Sequence, residues 1–330
     1  MKTRHLIGLL MLAGIALGTI FASMANAADP TVLHVNTQPT ARALLFYVGI
    51  DKGFFDRRGL KVELEFTDSS ERQRNGLASG KIDIVHSAVD NAVAMVEVAK
   101  KDVVIVTGGD SGTNEFYVQD YVKEFSDIRG HAVAVDATNT AYALQAKKIL
   151  LQHGLKDDID YKLNPVGNGS LRLKSMVENK NNAAAILNLP YSLQAEAAGM
   201  KSMGRTTDIL GPYQAAGGFT LRSWANANSN TLEQYIAAFV ESLRWSLDPK
   251  NRAEAVAILM DKFKLPKNIA ERSYDLMSDP TFGFAPDAKF NMAGFKNVLA
   301  LRSEIEGGVP TVPERYVDLS YYERAMKLVK

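Results

Sequence analysis

The chain contains no cysteine. That excludes a disulfide, a thiolate metal site, a cysteine nucleophile and acylation at a mature N-terminal cysteine. It also lacks a surplus of either charge, since 38 Lys and Arg stand against 37 Asp and Glu, a formal net charge of +1. Without a basic face there is little to hold a nucleic-acid backbone or an anionic membrane surface. Histidine is scarce: besides His5 there are only His34, His86, His131 and His153, at spacings that make no metal-binding motif. No glycine-lysine-serine phosphate loop is present, and Gly167-Asn168-Gly169-Ser170 starts like a dinucleotide-binding turn but lacks the third glycine. His86, Ser87 and Asp90 are residue types that hydrolases use, yet no nucleophile-elbow pattern surrounds the serine, and polar loop lining explains them as well. The expectation is therefore no catalytic residue, no metal and no cofactor.

What is present begins at the first residues. Lys2 and Arg4 precede an apolar run from Leu6 to Ala22, followed by the small-residue stretch Ser23 to Ala28. This is the three-part build of a secretory signal, with Ala25-Asn26-Ala27 as the cleavage box. The run is shorter than the roughly 20 residues of a spanning helix, which argues against an uncleaved anchor. Cleavage after Ala27 leaves 303 residues with a formal charge of −1, enough for two ordinary domains. No later segment is apolar enough to span a membrane.

Beyond the signal, short β-branched runs alternate with segments of helical period. Strands are predicted at Val32–Val35, Val62–Phe66, Ile82–Val85, Val103–Val106, Ala132–Val135, Tyr161–Val166 and Ala183–Leu187, with helices between most of them. That alternation predicts parallel pairing in α/β sheets, arranged as two lobes. From Thr231 the pattern turns wholly helical, punctuated by Pro249, Pro266, Pro280 and Pro286, and a tail of this kind is expected to pack back on the first lobe.

Nearly every predicted strand ends in a loop of small polar residues, where open α/β sheets bind their ligands. Candidate ligand contacts are Thr37, Gln38 and Arg42 after the first strand, Ser69 after the second, and Ser87 and Asp110 after the next two. Thr138, Asn139 and Thr140, then Asn168, then Asn188 and Tyr191 follow the later strands, and Tyr213 stands after Pro212. Free N–H groups at the helix starts suit a polar or anionic group, and Arg42 could pair with one. The same residue types cap helices whatever a protein does, so the argument for a cleft rests on seven such loops together.

The stretch from Ala43 to Leu64, containing Asp51-Lys52-Gly53-Phe54-Phe55-Asp56-Arg57-Arg58-Gly59-Leu60, resembles the opening of the nitrate/sulfonate/taurine and thiamine-pyrimidine-precursor group of solute-binding proteins. Leu77-Ala78-Ser79-Gly80-Lys81-Ile82-Asp83-Ile84 and Asp127-Ile128-Arg129-Gly130-His131-Ala132-Val133 resemble its next landmarks. The resemblance implies a two-lobed periplasmic-binding fold of type II, each lobe a sheet flanked by helices, closing on a small organic anion or heterocycle. It implies a cleaved signal at 1–27, a first lobe of 28–116 and 222–330, a second of 117–221, and hinge rotation near Gly217-Gly218. It further implies a monomer in the periplasm that serves an ABC permease in the inner membrane. Two rival readings stay open: an enzyme of pyrimidine-precursor type on the same scaffold, and a sensory or partner-binding periplasmic protein. The matched residues lie at a helix stop, a turn and strands, so they mark the fold more than the ligand.

Overall fold

In a computed structural model, which describes residues 29–330 apart from Ser111 and Thr311, the chain builds two five-stranded sheets flanked by helices. The expected signal segment, 1–27, lies outside the described residues. No helix among the described residues is long and apolar enough to cross a membrane.

The first sheet contains β1 (Thr31–Thr37), β2 (Leu60–Phe66), β3 (Ile84–Ala88) and β4 (Val103–Thr107). The second contains β5 (Glu115–Val118), β6 (Ala132–Val135), β7 (Lys162–Pro165), β8 (Asn182–Leu187) and β9 (Lys201–Arg205), and β10 (Ala216–Leu221) returns to the first. The orders are β2-β1-β3-β10-β4 and β7-β6-β8-β5-β9. Pairing is parallel within β2-β1-β3 and β7-β6-β8, as the strand and helix alternation requires. The two returning strands depart from it: β10 runs antiparallel to β3 and β4, and β5 antiparallel to β8 and β9. The sheets are mixed because each half is completed by a strand arriving from the other half without a crossover helix.

That topology moves the expected crossings. Phe116–Val118 are already paired in the second sheet and Gly217–Leu221 in the first, so the chain changes sheets between Thr107 and Glu115 and again between Arg205 and Ala216. Gly217 and Gly218 serve close packing in a central strand. A Cβ on Gly217 would lie 2.6 Å from the Thr107 carbonyl oxygen and one on Gly218 2.6 Å from Thr107 Cγ2. Gly217→Ala is expected to lower the unfolding free energy by about 1–3 kcal/mol through this overlap, read from urea denaturation; an unchanged midpoint would mean the strand shifts freely.

The helical tail covers both faces of the first sheet. Leu232, Tyr235, Ile236 and Phe239 of the helix Ser229–Leu247 join Leu33, Val35, Leu44 and Phe46 in one core. On the other face Phe295, Val298 and Leu299 of the helix Met292–Glu306 meet Val85, Val93 and Ile105. A strand covered on both faces is apolar on both sides, which is why β4 is buried at every position. The landmark segment belongs to this packing. Gly53 and Gly59 take positive φ of 67° and 69°, where a side chain would strain the turn. Phe55 stacks on Tyr235 at 5.5 Å, and Arg58 reaches Gln234 (2.9 Å), Glu241 (2.7 Å) and the Leu328 carbonyl (2.9 Å).

Candidate functional site

The carboxyl ends of β1, β3 and β4 meet at one cavity of about 30 Å³ between the two sheet-bearing halves. Thr37 lines it from the end of β1, Gln38, Thr40 and Arg42 from the segment that follows, His86 and Ser87 from β3, and Gly109 from the loop after β4. Leu45, Phe46, Phe239 and Phe284 give it an apolar wall, and Ala88, Ala216 and Gly217 a floor without bulk.

The charge at this site is internally balanced. Arg42 donates Nη2 to Asp110 Oδ1 at 3.1 Å, and its Nε pairs with Oδ2 of the same carboxylate. Asp110 is 3% exposed. Burial alone would lower the Arg42 pKa, but Asp110 and the neighbouring Tyr142 hydroxyl more than offset it and hold the value above its ordinary range. Arg42 is the one cation lining this cavity among the described residues, and its charge is already answered.

His86 is the second polar feature. Its ring packs against Phe46 (centroids 5.0 Å apart), Phe239 (4.5 Å) and Tyr235 (5.9 Å), and its Nε2 has no partner. Burial without a charged neighbour pushes its pKa down to about 3, so the imidazole presented to the cavity is neutral. Ser87 lies beside it but accepts from Asn91 Nδ2 at 3.4 Å, and Thr37 Oγ1 donates to the His86 carbonyl at 2.9 Å. Among the described residues no nucleophile and base are joined here.

The far wall comes from the second half of the molecule. Tyr142, in the first turn of the helix Ala141–Gln152, accepts from Asn188 Nδ2 at 2.9 Å, and the Arg172 guanidinium stacks 4.2 Å from its ring centroid. Arg172 is fully buried and held by the carbonyls of Ile186 and Gly167, each at 3.1 Å. Around the cavity the halves also touch directly. Asn168 N donates to Asp68 O (3.0 Å), Ala41 N to Leu189 O (3.1 Å), Ser70 Oγ to Asp136 Oδ2 (2.9 Å), and the Tyr191 hydroxyl to the Pro39 carbonyl. A space of about 30 Å³ holds about two waters.

Of the sequence candidates, the structure gathers Thr37, Gln38, Arg42 and Ser87 on the cavity wall, with Asp110 and Asn188 on an adjoining pocket that shares Arg42. The others stand elsewhere. Ser69 and Asn168 cap the helices Ser70–Ala78 and Gly169–Glu178 through Arg72 N and Leu171 N. Thr138 is exposed, Asn139 accepts from Arg302 through its carbonyl, and Thr140 Oγ1 donates to Asp136. Tyr191 spans the halves outside the wall, and Tyr213, buried against the helix Met292–Glu306 near Gly294, lines a further adjoining pocket that shares Arg42, Ala88 and Tyr142. Phe46, Tyr142, Phe239 and Phe284 carry no such signal in the sequence, and His86, read there as polar loop lining, joins the wall as well. Ser87 and His86 also sit in β3 itself and not in a following loop, because the strand runs three residues beyond the predicted Val85.

The sequence matches the NMT1-like family over residues 26–260. No curated protein matches the chain. Among solved structures, a protein from Bordetella bronchiseptica RB50 superposes with a TM-score of 0.79 at 17% identity, covering 91% of this chain and 98% of its own. The periplasmic nitrate-binding protein NrtA from Synechocystis PCC 6803 gives 0.75 at 14% identity, covering 92% and 90%. The desulfurization enzyme DSZB gives 0.62 at 12% identity, covering 90% and 99%. At these identities the likeness is one of fold, and that fold carries both binding proteins and an enzyme.

Proposed function

Because the chain belongs to the NMT1-like family, we propose that it is the solute-binding component of an ABC-type importer. It acts in the periplasm as a monomer after loss of residues 1–27, and hands its solute to an inner-membrane permease. The two sheet-bearing halves serve as its lobes, residues 31–107 with 216–330 and residues 115–205. The solute we assign is a small, flat, uncharged heterocycle. The observation that carries this choice is the Arg42–Asp110 pair, which satisfies within the protein the cation an anionic solute would need. The apolar wall of Phe46, Phe239 and Phe284 with a neutral His86 supports the same class.

Binding, and not turnover, is supported by the unjoined serine and histidine, since a nucleophile needs a base within hydrogen-bond reach. A sensory role would use the same cleft and differ only in what the closed form docks on.

The test is a thermal-shift screen of residues 28–330 against pyrimidines, aromatic carboxylates, sulfonates, nitrate and taurine. A solute bound only to the folded state at 100 times its Kd adds about 2.7 kcal/mol, so a heterocycle hit recovered unchanged is the expected result. A rise given only by anions would overturn the assigned class, and a consumed compound would overturn the binding-protein reading.

A further inference from the structure

Resting on the solute-binding reading, we propose that Tyr142 is the residue through which a bound solute closes the two lobes, by donating its hydroxyl hydrogen to an acceptor atom of the solute. The cavity wall is lopsided. Apart from Gly109 in the crossing segment, every other residue that lines it belongs to the half built on the first sheet, and Tyr142 is the one from the second half among the described residues. A ligand shifts an open–closed equilibrium only by contacts it makes better in the closed form. Contacts to Thr37, Gln38, His86 or Phe239 exist in either form, because those residues move as one body. The contact to Tyr142 exists only when the lobes meet.

The hydroxyl is also set up for one role. Asn188 donates to it at 2.9 Å, and Arg42, which lines the same cavity, is held above its ordinary pKa in part by this hydroxyl. With the Asn188 amide donating to the oxygen and the Arg42 guanidinium able only to donate, the hydroxyl hydrogen is left for an acceptor in the cavity. The ring is held still by Arg172 stacked at 4.2 Å, itself fixed by two backbone carbonyls. The solute atom facing Tyr142 is accordingly an acceptor, a ring nitrogen or a carbonyl oxygen.

The cysteine-free chain allows a direct test. Glu71→Cys and Lys174→Cys place spin labels on exposed positions of the helices Ser70–Ala78 and Gly169–Glu178, whose N-terminal segments are joined across the cleft by the bond from Asn168 to Asp68. Distances are measured in the labelled parent, in Tyr142→Phe, and in Lys148→Gln, which loses the 2.5 Å ion pair to Glu304 between the halves but does not touch the cavity. The probe is saturating 4-aminopyrimidine, with affinity measured in parallel by calorimetry. The parent and Lys148→Gln should shift to shorter distances with the probe. Tyr142→Phe should bind it about ten-fold more weakly without that shift, and should show a smaller short-distance population than the parent even with no compound present. Distributions in folded Tyr142→Phe equal to those of the parent in both conditions would overturn the proposal. If the probe shifts neither protein, the solute class is what fails, and the compound-free comparison decides the role of Tyr142.

Discussion

Asp110→Asn is expected to turn the cleft from uncharged solutes to anions. The asparagine keeps the shape and one acceptor for Arg42 but removes the counter-charge, so the guanidinium regains a need that a carboxylate or sulfonate can meet through two parallel hydrogen bonds. The same change removes the repulsion that the Asp110 carboxylate, 3% exposed beside the cavity, exerts on any incoming anion. Affinity for benzoate or methanesulfonate should rise at least about ten-fold, which corresponds to about 1.4 kcal/mol. Asp110→Ala should add a stability cost, because it leaves Arg42 largely buried with no acceptor of opposite charge. Removing one partner of a buried pair costs about 3–5 kcal/mol, and the lower end applies to a side chain still 17% exposed. Thermal shifts with each compound and urea unfolding of the free proteins separate the two effects. Equal anion affinity in parent and Asp110→Asn would show that the pair does not set solute charge.

The alternation of strands and helices was enough to place β1, β2, β4, β6, β7 and β8 and to imply parallel pairing; β4, β6 and β8 read as continuous buried runs, and the edge strand β2 by its alternating Val62, Leu64 and Phe66. The elements that escaped lack that signature. The edge strand β9, Lys201–Arg205, is partly exposed and has no alternation, and β10 contains two glycines whose need for close approach resembles a turn. The site divides in the same way. Thr37, Gln38, Arg42 and Ser87 were legible because they follow or end strands, where the topology fixes a ligand's position. Phe239, Phe284 and Tyr142 come from helices and loops far along the chain, and only the folded core decides that their rings end beside β1. The Arg42–Asp110 pair joins residues 68 apart. Each was visible as a candidate contact, but that they answer one another's charge, which is the ground for proposing the heterocycle over the anion among the expected solutes, is visible only in three dimensions.

His86 supplies the other large effect, a stability that falls with acid. Its folded pKa of about 3 lies below the ordinary 6.5, so below pH 6.5 the unfolded chain takes up a proton that the native chain refuses. The contribution is fully present above pH 6.5 and is lost as pH falls toward 3, at about 1.4 kcal/mol for each unit. At pH 5 the loss is about 2 kcal/mol. Phe46, Tyr235, Phe239 and the backbone at Gly218 face the ring, and none of them titrates in this range or offers a carboxylate to stabilise the imidazolium. His86→Phe should therefore remove this part of the pH dependence while other groups titrate as before. Urea unfolding of both proteins at pH 7.5 and pH 5.0 gives the double difference in which those other groups cancel. A double difference near zero would mean that the imidazole finds a proton-stabilising partner in the folded state, and a cavity able to hold imidazolium would no longer be the uncharged slot from which the solute class was argued.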